Sequence, residues 1–170
     1  EKFARADEYA RKAMSIDSTV SWAIGLSAMV AAPIGRHQEG IDIARRGVDL
    51  YPGNADVRAF LGFALLHAGQ LAEAVEHIRA AMDFNPFYPN WYLGGLQSAL
   101  RGLGDLEGVL SIANEVLEKE PGFLGSWLAR AYVYQKTGRR SDALAAIREV
   151  QKLAPNLRVE HLPNMTLIND

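Results

Sequence analysis

No cysteine occurs in the 170 residues. That excludes disulfides, thiol nucleophiles and every cysteine-ligated zinc or iron–sulfur centre, and it fits a cytoplasmic location. An excess of positive charge is missing too. Lysine and arginine number 18 against 20 acidic residues, a net charge of −2, so no nucleic-acid grip built on bulk charge is expected. No membrane span is expected either. The longest uncharged stretch, 18–35, contains Ser18, Thr19, Ser21, Gly25, Ser27 and Pro33, whereas a spanning helix is predominantly apolar over about 20 residues. The chain opens on Glu1, and residues 1–17 carry four positive and four negative charges. No targeting leader is expected there.

Catalytic parts are also scarce. His37, His67, His77 and His161 are the four histidines, and none lies three or four residues from another. A helical metal pair is therefore excluded. The glycines never form the phosphate-binding Gly-x-x-x-x-Gly-Lys-Ser/Thr pattern. Ser98 lacks a nucleophile elbow, and Glu73 and Glu76 read as helix-surface charges. We expect no catalytic residue, no metal and no cofactor.

What is present is regular punctuation. Pro52, Pro86, Pro121 and Pro155 are spaced 34, 35 and 34 apart, and so are Gly35, Gly69, Gly104 and Gly138. Each glycine precedes its proline by 17. The extra residue falls most simply in the loop 87–90. Between Gly69 and Pro86, apolar residues at 71, 74, 75, 78, 81 and 82 form one face of a helix. Leu93, Leu96, Leu100 and Leu103 make a stripe on the helix before Gly104. Glycine relaxes the turn where the first helix ends, and proline stops the second. The unit is an antiparallel helix pair of a known solenoid period.

A helix pair of this length, with these markers, resembles the tetratricopeptide repeat. The unit from Ala55 matches best, with Leu61, Gly62, Leu65, Ala74, Ile78, Ala81 and Pro86; Arg58 departs from the expected large residue. The unit from Leu124 has Trp127, Ala131, Tyr134, Ala143, Ile147 and Pro155, with Arg130 in place of leucine. The unit from Asn90 carries Leu93, Leu96, Leu100 and Pro121, but Val109 and Val116 replace alanines. The unit from Ser21 is weakest, with Ile24, Ala28, Gly40, Ala44, Gly47 and Pro52. Its small residues suggest close helix approach or a looser unit. Ala6, Ala10 and Ala13 continue the pattern backwards as the second helix of a half repeat.

The resemblance implies an all-α, α-α superhelix: a single array with a half repeat 1–20, repeats 21–54, 55–89, 90–123 and 124–155, and a cap or tail 156–170. A chain opening half-way through a repeat reads as a piece of a longer protein, with an edge that favours a homodimer of the piece. More narrowly, the run Asn85-Pro-Phe-Tyr-Pro-Asn-Trp-Tyr-Leu-Gly-Gly-Leu resembles repeat arrays that follow bacterial class III adenylate or guanylate cyclase domains or winged-helix regulators. The tail from Leu157 to Pro163 resembles the end of such arrays.

The resemblance also implies a partner groove on the concave side, lined by the second, fifth, ninth, twelfth and thirteenth residues of each unit. Carried across, these include Trp22, Met29, Phe63, His67, Trp91, Ser98, Arg101, Tyr132, Gln135 and Lys136. The fifth and ninth positions hold Gly25, Ala59, Gly94, Leu128, Met29, Phe63, Ser98 and Tyr132. The Lys/Asn clamp that some members use on chaperone tails is absent. Small fifth residues are expected to leave room on an apolar floor, with His67, Arg101 and Lys136 along one rim. The expected ligand is a protein or peptide with apolar anchors and an acidic side. Two functions follow: an interaction scaffold, or a regulatory and self-associating module of a larger signalling protein.

Two further features stand out. The unit from Leu124 to Pro155 has a net charge of +4 and that from Asn90 to Pro121 a net charge of −3. Phe84, Phe87, Tyr88, Trp91 and Tyr92 cluster around the inserted loop; two of them are expected to plug the joint between units, and the exposed remainder would mark a contact.

Overall fold

The computed structural model describes residues 2–17 and 20–157. Among these there are helices and turns but no strand. The chain divides into two compact units, the first ending at Leu103 and the second starting at Gly104. His161, Pro163 and most of the expected tail lie outside the described residues.

The first unit contains α1 (Lys2–Ile16), α2 (Ser21–Ala31), α3 (His37–Leu50), α4 (Ala55–His67), α5 (Leu71–Phe84) and α6 (Asn90–Leu103), with a 3-10 turn over Ala32–Ile34 after α2. Consecutive helices pack on each other, and the first helices α2, α4 and α6 also pack in sequence. The second unit contains α7 (Leu106–Lys119), α8 (Leu124–Lys136) and α9 (Arg140–Leu153).

The turn glycines behave as their register predicts. Gly35, Gly69, Gly104 and Gly138 have φ of 81°, 78°, 77° and 72°, the left-handed region that other residues enter only at a cost. After Gly69, the Gln70 amide reaches back to the Leu65 carbonyl at 2.9 Å. That bond satisfies a carbonyl the ending helix would otherwise leave unpaired. The Arg36 and Arg139 amides do the same to Ala31 and Tyr134, each at 2.8 Å. Asn54 and Asp105 cap the starts of α4 and α7 by accepting from the amides of Val57 and Gly108.

The helical stripes form the core. Ala74, Val75, Ile78 and Ala81 of α5 are buried, as are Leu93, Leu96 and Leu100 of α6. Leu103, the last residue of α6, departs from its stripe and stands half-exposed. The inserted residue lies in the α5–α6 connection, which spans 85–89 where the α3–α4 connection spans 51–54.

Close approach is the outcome for the weak unit from Ser21. A Cβ on Gly40 would sit 2.8 Å from the Ala28 carbonyl oxygen, and one on Gly47 would sit 2.6 Å from Ile24. Only glycine lets α3 lie this near α2. The second helices are also tied by a repeating ion pair. Arg11 meets Glu39 at 2.9 Å, and Arg45 meets Glu73 at 2.9 Å. Both partners advance by 34 from one rung to the next, so the repeat period is written in charge as well as in glycine and proline.

Candidate functional site

In the first unit, α4 locks its neighbours through two phenylalanines. The Phe60 ring lies on Gly25 of α2, where a Cβ would be 2.0 Å from the ring, and the Phe63 ring lies on Gly95 of α6, at 2.5 Å. Trp91 of α6 stacks on Phe60 at 5.2 Å and leans on Phe63 at 5.3 Å. Trp22 of α2 meets the same Phe60 edge-on at 5.5 Å. The result is a continuous aromatic ladder across three first helices, in the offset and edge geometries aromatic pairs favour.

The ladder is only partly covered. Trp22 is 62% exposed, Leu26 43% and Met29 36%. These three lie on one face of α2, four and three residues apart. Trp91 and Phe63 are half-buried. Beyond the ladder, Ser98 is half-exposed and donates to the Gly94 carbonyl at 2.8 Å. Nothing lies within 4 Å of a Cβ built on Gly94. His67 and Arg101 end α4 and α6 on the surface.

Two expectations need correction. Space at the small fifth residues is not general: Gly94 is open, but the room at Gly25 is taken by the Phe60 ring. His67 is also a poor rim cation at neutral pH. Burial, with the nearby His37, holds its pKa below the usual 6.5. Arg101 carries a permanent positive charge in the last turn of α6. Phe60 was missed because the sixth position was not counted as lining. Its signal was a second aromatic one turn before Phe63, with Gly25 on the preceding first helix to receive it.

The inserted loop sorts its aromatics by burial. Tyr92 is fully buried and donates its hydroxyl to Asp56 Oδ1 at 2.7 Å. Burial first, and then this bond, raise its pKa far above the usual 10. Tyr88 stacks on Tyr92 at 6.4 Å. Phe84 is half-exposed beneath the Arg58 guanidinium, and Phe87 is 94% exposed.

In the second unit, Tyr132, Gln135 and Lys136 lie along one side of α8, with the Lys136 ammonium 5.8 Å from the Tyr132 ring centre. Arg130 stands over Trp127, and Arg139 over Tyr134. Among the described residues no group of His, Asp or Glu is arranged to hold a metal ion, and no helix is long and apolar enough to cross a membrane.

Stacked helix pairs that present a row of first helices define a repeat protein built for contact. Two profiles of the tetratricopeptide repeat family match, over residues 35–100 and 124–157. Together they take in more than half of the chain, which belongs to this family of non-catalytic protein-interaction modules. Among solved structures, the type IV pilus biogenesis factor PilW aligns with a TM-score of 0.81 at 16% identity, over 93% of this chain and 73% of its own. MamA aligns at 0.73 and 17%, covering 90% and 89%. YrrB, described as a repeat protein with an unusual peptide-binding site, aligns at 0.69 and 21%, covering 91% and 79%. These likenesses show the fold, an all-α solenoid of helix pairs.

Among curated proteins, a pentatricopeptide repeat-containing protein of Arabidopsis thaliana is 28% identical over 138 residues. The transcriptional regulator HilA of Salmonella typhimurium is 30% identical over 110, which is 59% of this chain. The match takes in 24% of the plant protein's length and 20% of HilA's.

Proposed function

We propose that the face of α2, α4 and α6 binds an extended or amphipathic peptide with apolar anchors and an acidic side. The observation that carries this reading is the strip Trp22, Leu26 and Met29. It is exposed on a helix whose other face is fully packed, and it joins the half-covered rings of Trp91 and Phe63 through Phe60. Aromatic surface of this kind supplies binding energy at low cost in side-chain entropy. Arg101 at the helix end suits an acidic group on the ligand. Tyr132, Gln135 and Lys136 offer related chemistry on α8.

Peptides selected from a displayed random library against the whole chain supply the probe. Their affinity is then measured by fluorescence anisotropy for Phe63→Ala, Arg101→Ala and Tyr132→Ala. Loss of about tenfold or more at Phe63 is expected, since truncating an interface anchor costs ~2 kcal/mol. Unchanged affinity in all three contradicts the proposal.

The similarity to a transcriptional regulator favours a second reading, a regulatory and self-associating segment of a longer protein. Light scattering across concentration separates the two. A dimer whose affinity Phe63→Ala leaves unchanged supports self-association through another surface.

A further inference from the structure

A second concavity lies away from the aromatic face, between α1, α2 and α3. It has a volume of about 340 Å³, within the ~300–1,000 Å³ typical of small-ligand pockets. Its origin is visible in the repeat register. The seventh position of the unit carries Leu61 and Leu96 in the next two units, both 2% exposed. In the unit from Ser21 the same position is Ser27. A hydroxymethyl replaces an isobutyl group, and room opens where leucine would pack.

Ser27 as a residue is only 5% exposed, and its hydroxyl is buried with no hydrogen-bond partner. An unsatisfied buried hydroxyl is costly. The walls beside it are apolar, from Met14, Ala31 and Ile43. Above them, Arg11 bridges Asp7 and Glu39 at 3.0 and 2.9 Å, and Arg36 pairs with the same two carboxylates. That cluster is balanced, two cations against two anions. Arg46 also lines the cavity, and among the described residues no ion pair engages it. The cavity therefore combines a hydroxyl floor, apolar walls and one surplus guanidinium at its mouth.

We infer that this cavity binds a small carboxylate with a short aliphatic body. The acid pairs with Arg46, and the aliphatic chain lies on Met14, Ala31 and Ile43. The hydroxyl of Ser27 bonds a polar atom at the ligand's inner end, or a water that the ligand carries in. A water alone would satisfy Ser27 but leave the apolar walls wet. The inference is independent of the peptide face, with which it shares no residue.

Hexanoate and its hydroxy acid, 6-hydroxyhexanoate, are the probes, with hexan-1-ol and hexylamine as matched controls. Binding to the whole chain is followed by the methyl NMR signals of Met14 and Ile43 and by calorimetry. The carboxylates are expected to give saturable shifts, with the hydroxy acid the tighter, and the alcohol and amine to bind at least about tenfold more weakly. Arg46→Met, which keeps the alkyl stem on the surface, is expected to weaken hexanoate about tenfold. Ser27→Leu fills the floor and is expected to abolish binding while raising the thermal midpoint. Three results overturn the inference: no saturable shift at Met14 or Ile43, alcohol binding as tight as the acid's, or hexanoate affinity unchanged by Arg46→Met.

Discussion

At the scale of single residues, two glycines inside helices matter for packing rather than for turning the chain. Gly25 and Gly95 are the surfaces on which Phe60 and Phe63 lie. A methyl group at either position drives into an aromatic ring. Overpacking of this kind costs about 1–3 kcal/mol. Gly25→Ala and Gly95→Ala are therefore expected to lower the unfolding free energy by that amount, read from chemical denaturation. Gly94→Ala, one residue away and facing open space, is expected not to destabilise.

Two histidines couple stability to pH. Burial pulls His77 below its usual 6.5 against the opposing pull of Glu73, and burial with His37 does the same to His67. The unfolded chain then takes up protons at higher pH than the folded one. The linked stability is full above pH 6.5 and is lost as pH falls through the lower folded-state values. Unfolding midpoints compared at pH 7.5 and 5.5 are expected to drop. His77→Gln is expected to flatten part of that slope.

Sequence reading at this scale was uneven. The turn glycines and the buried helical stripes were legible, because each follows from spacing along one helix. Phe60 was not, because its importance depends on a glycine 35 residues away, Gly25 on α2, and on Trp22 and Trp91 of the flanking helices. The cavity at Ser27 was equally hidden. Serine at a leucine position reads as a weak repeat until the space it leaves is seen in three dimensions.

At the scale of elements, the helix pair is held by its turn and by its neighbours. Gly69 sits at φ 78° between α4 and α5, and a side chain there costs about 1–2 kcal/mol. Gly69→Ala is expected to destabilise the chain by that amount, read from urea unfolding, with the helical circular dichroism unchanged. The ion-pair rungs matter less. Arg45 and Glu73 are both substantially exposed, and surface pairs contribute about 0.2–1 kcal/mol. Their constant offset points to register: the rung favours the stacking in which second helices advance by one repeat. The paired expectation about the loop also resolves at this scale. Tyr92, through Asp56, and Trp91, through Phe60 and Phe63, close the joint between α4 and α6, while Phe84 and Phe87 remain outside.

At the scale of the whole molecule, each unit is a stack of helix pairs, and the family match places both in one class. The first unit carries the aromatic ladder and the strip on α2, and the second carries Tyr132 and Lys136 on α8. Charge does not follow that division: the acidic residues of the repeat from Asn90, Asp105 to Glu120, and the basic repeat from Leu124 both belong to the second unit. The central claim is that the ladder face of the first unit receives the ligand. The chain's three tryptophans make that claim directly measurable. Trp22 and Trp91 belong to the ladder, whereas the Trp127 indole donates to the Pro121 carbonyl at 2.8 Å in the second unit. The indole N–H signals of a ¹⁵N-labelled chain, titrated with a selected peptide, give one readout for all three. The account predicts that Trp22 and Trp91 shift together and saturate while Trp127 stays in place. A ligand that saturates with Trp22 and Trp91 both unmoved contradicts it.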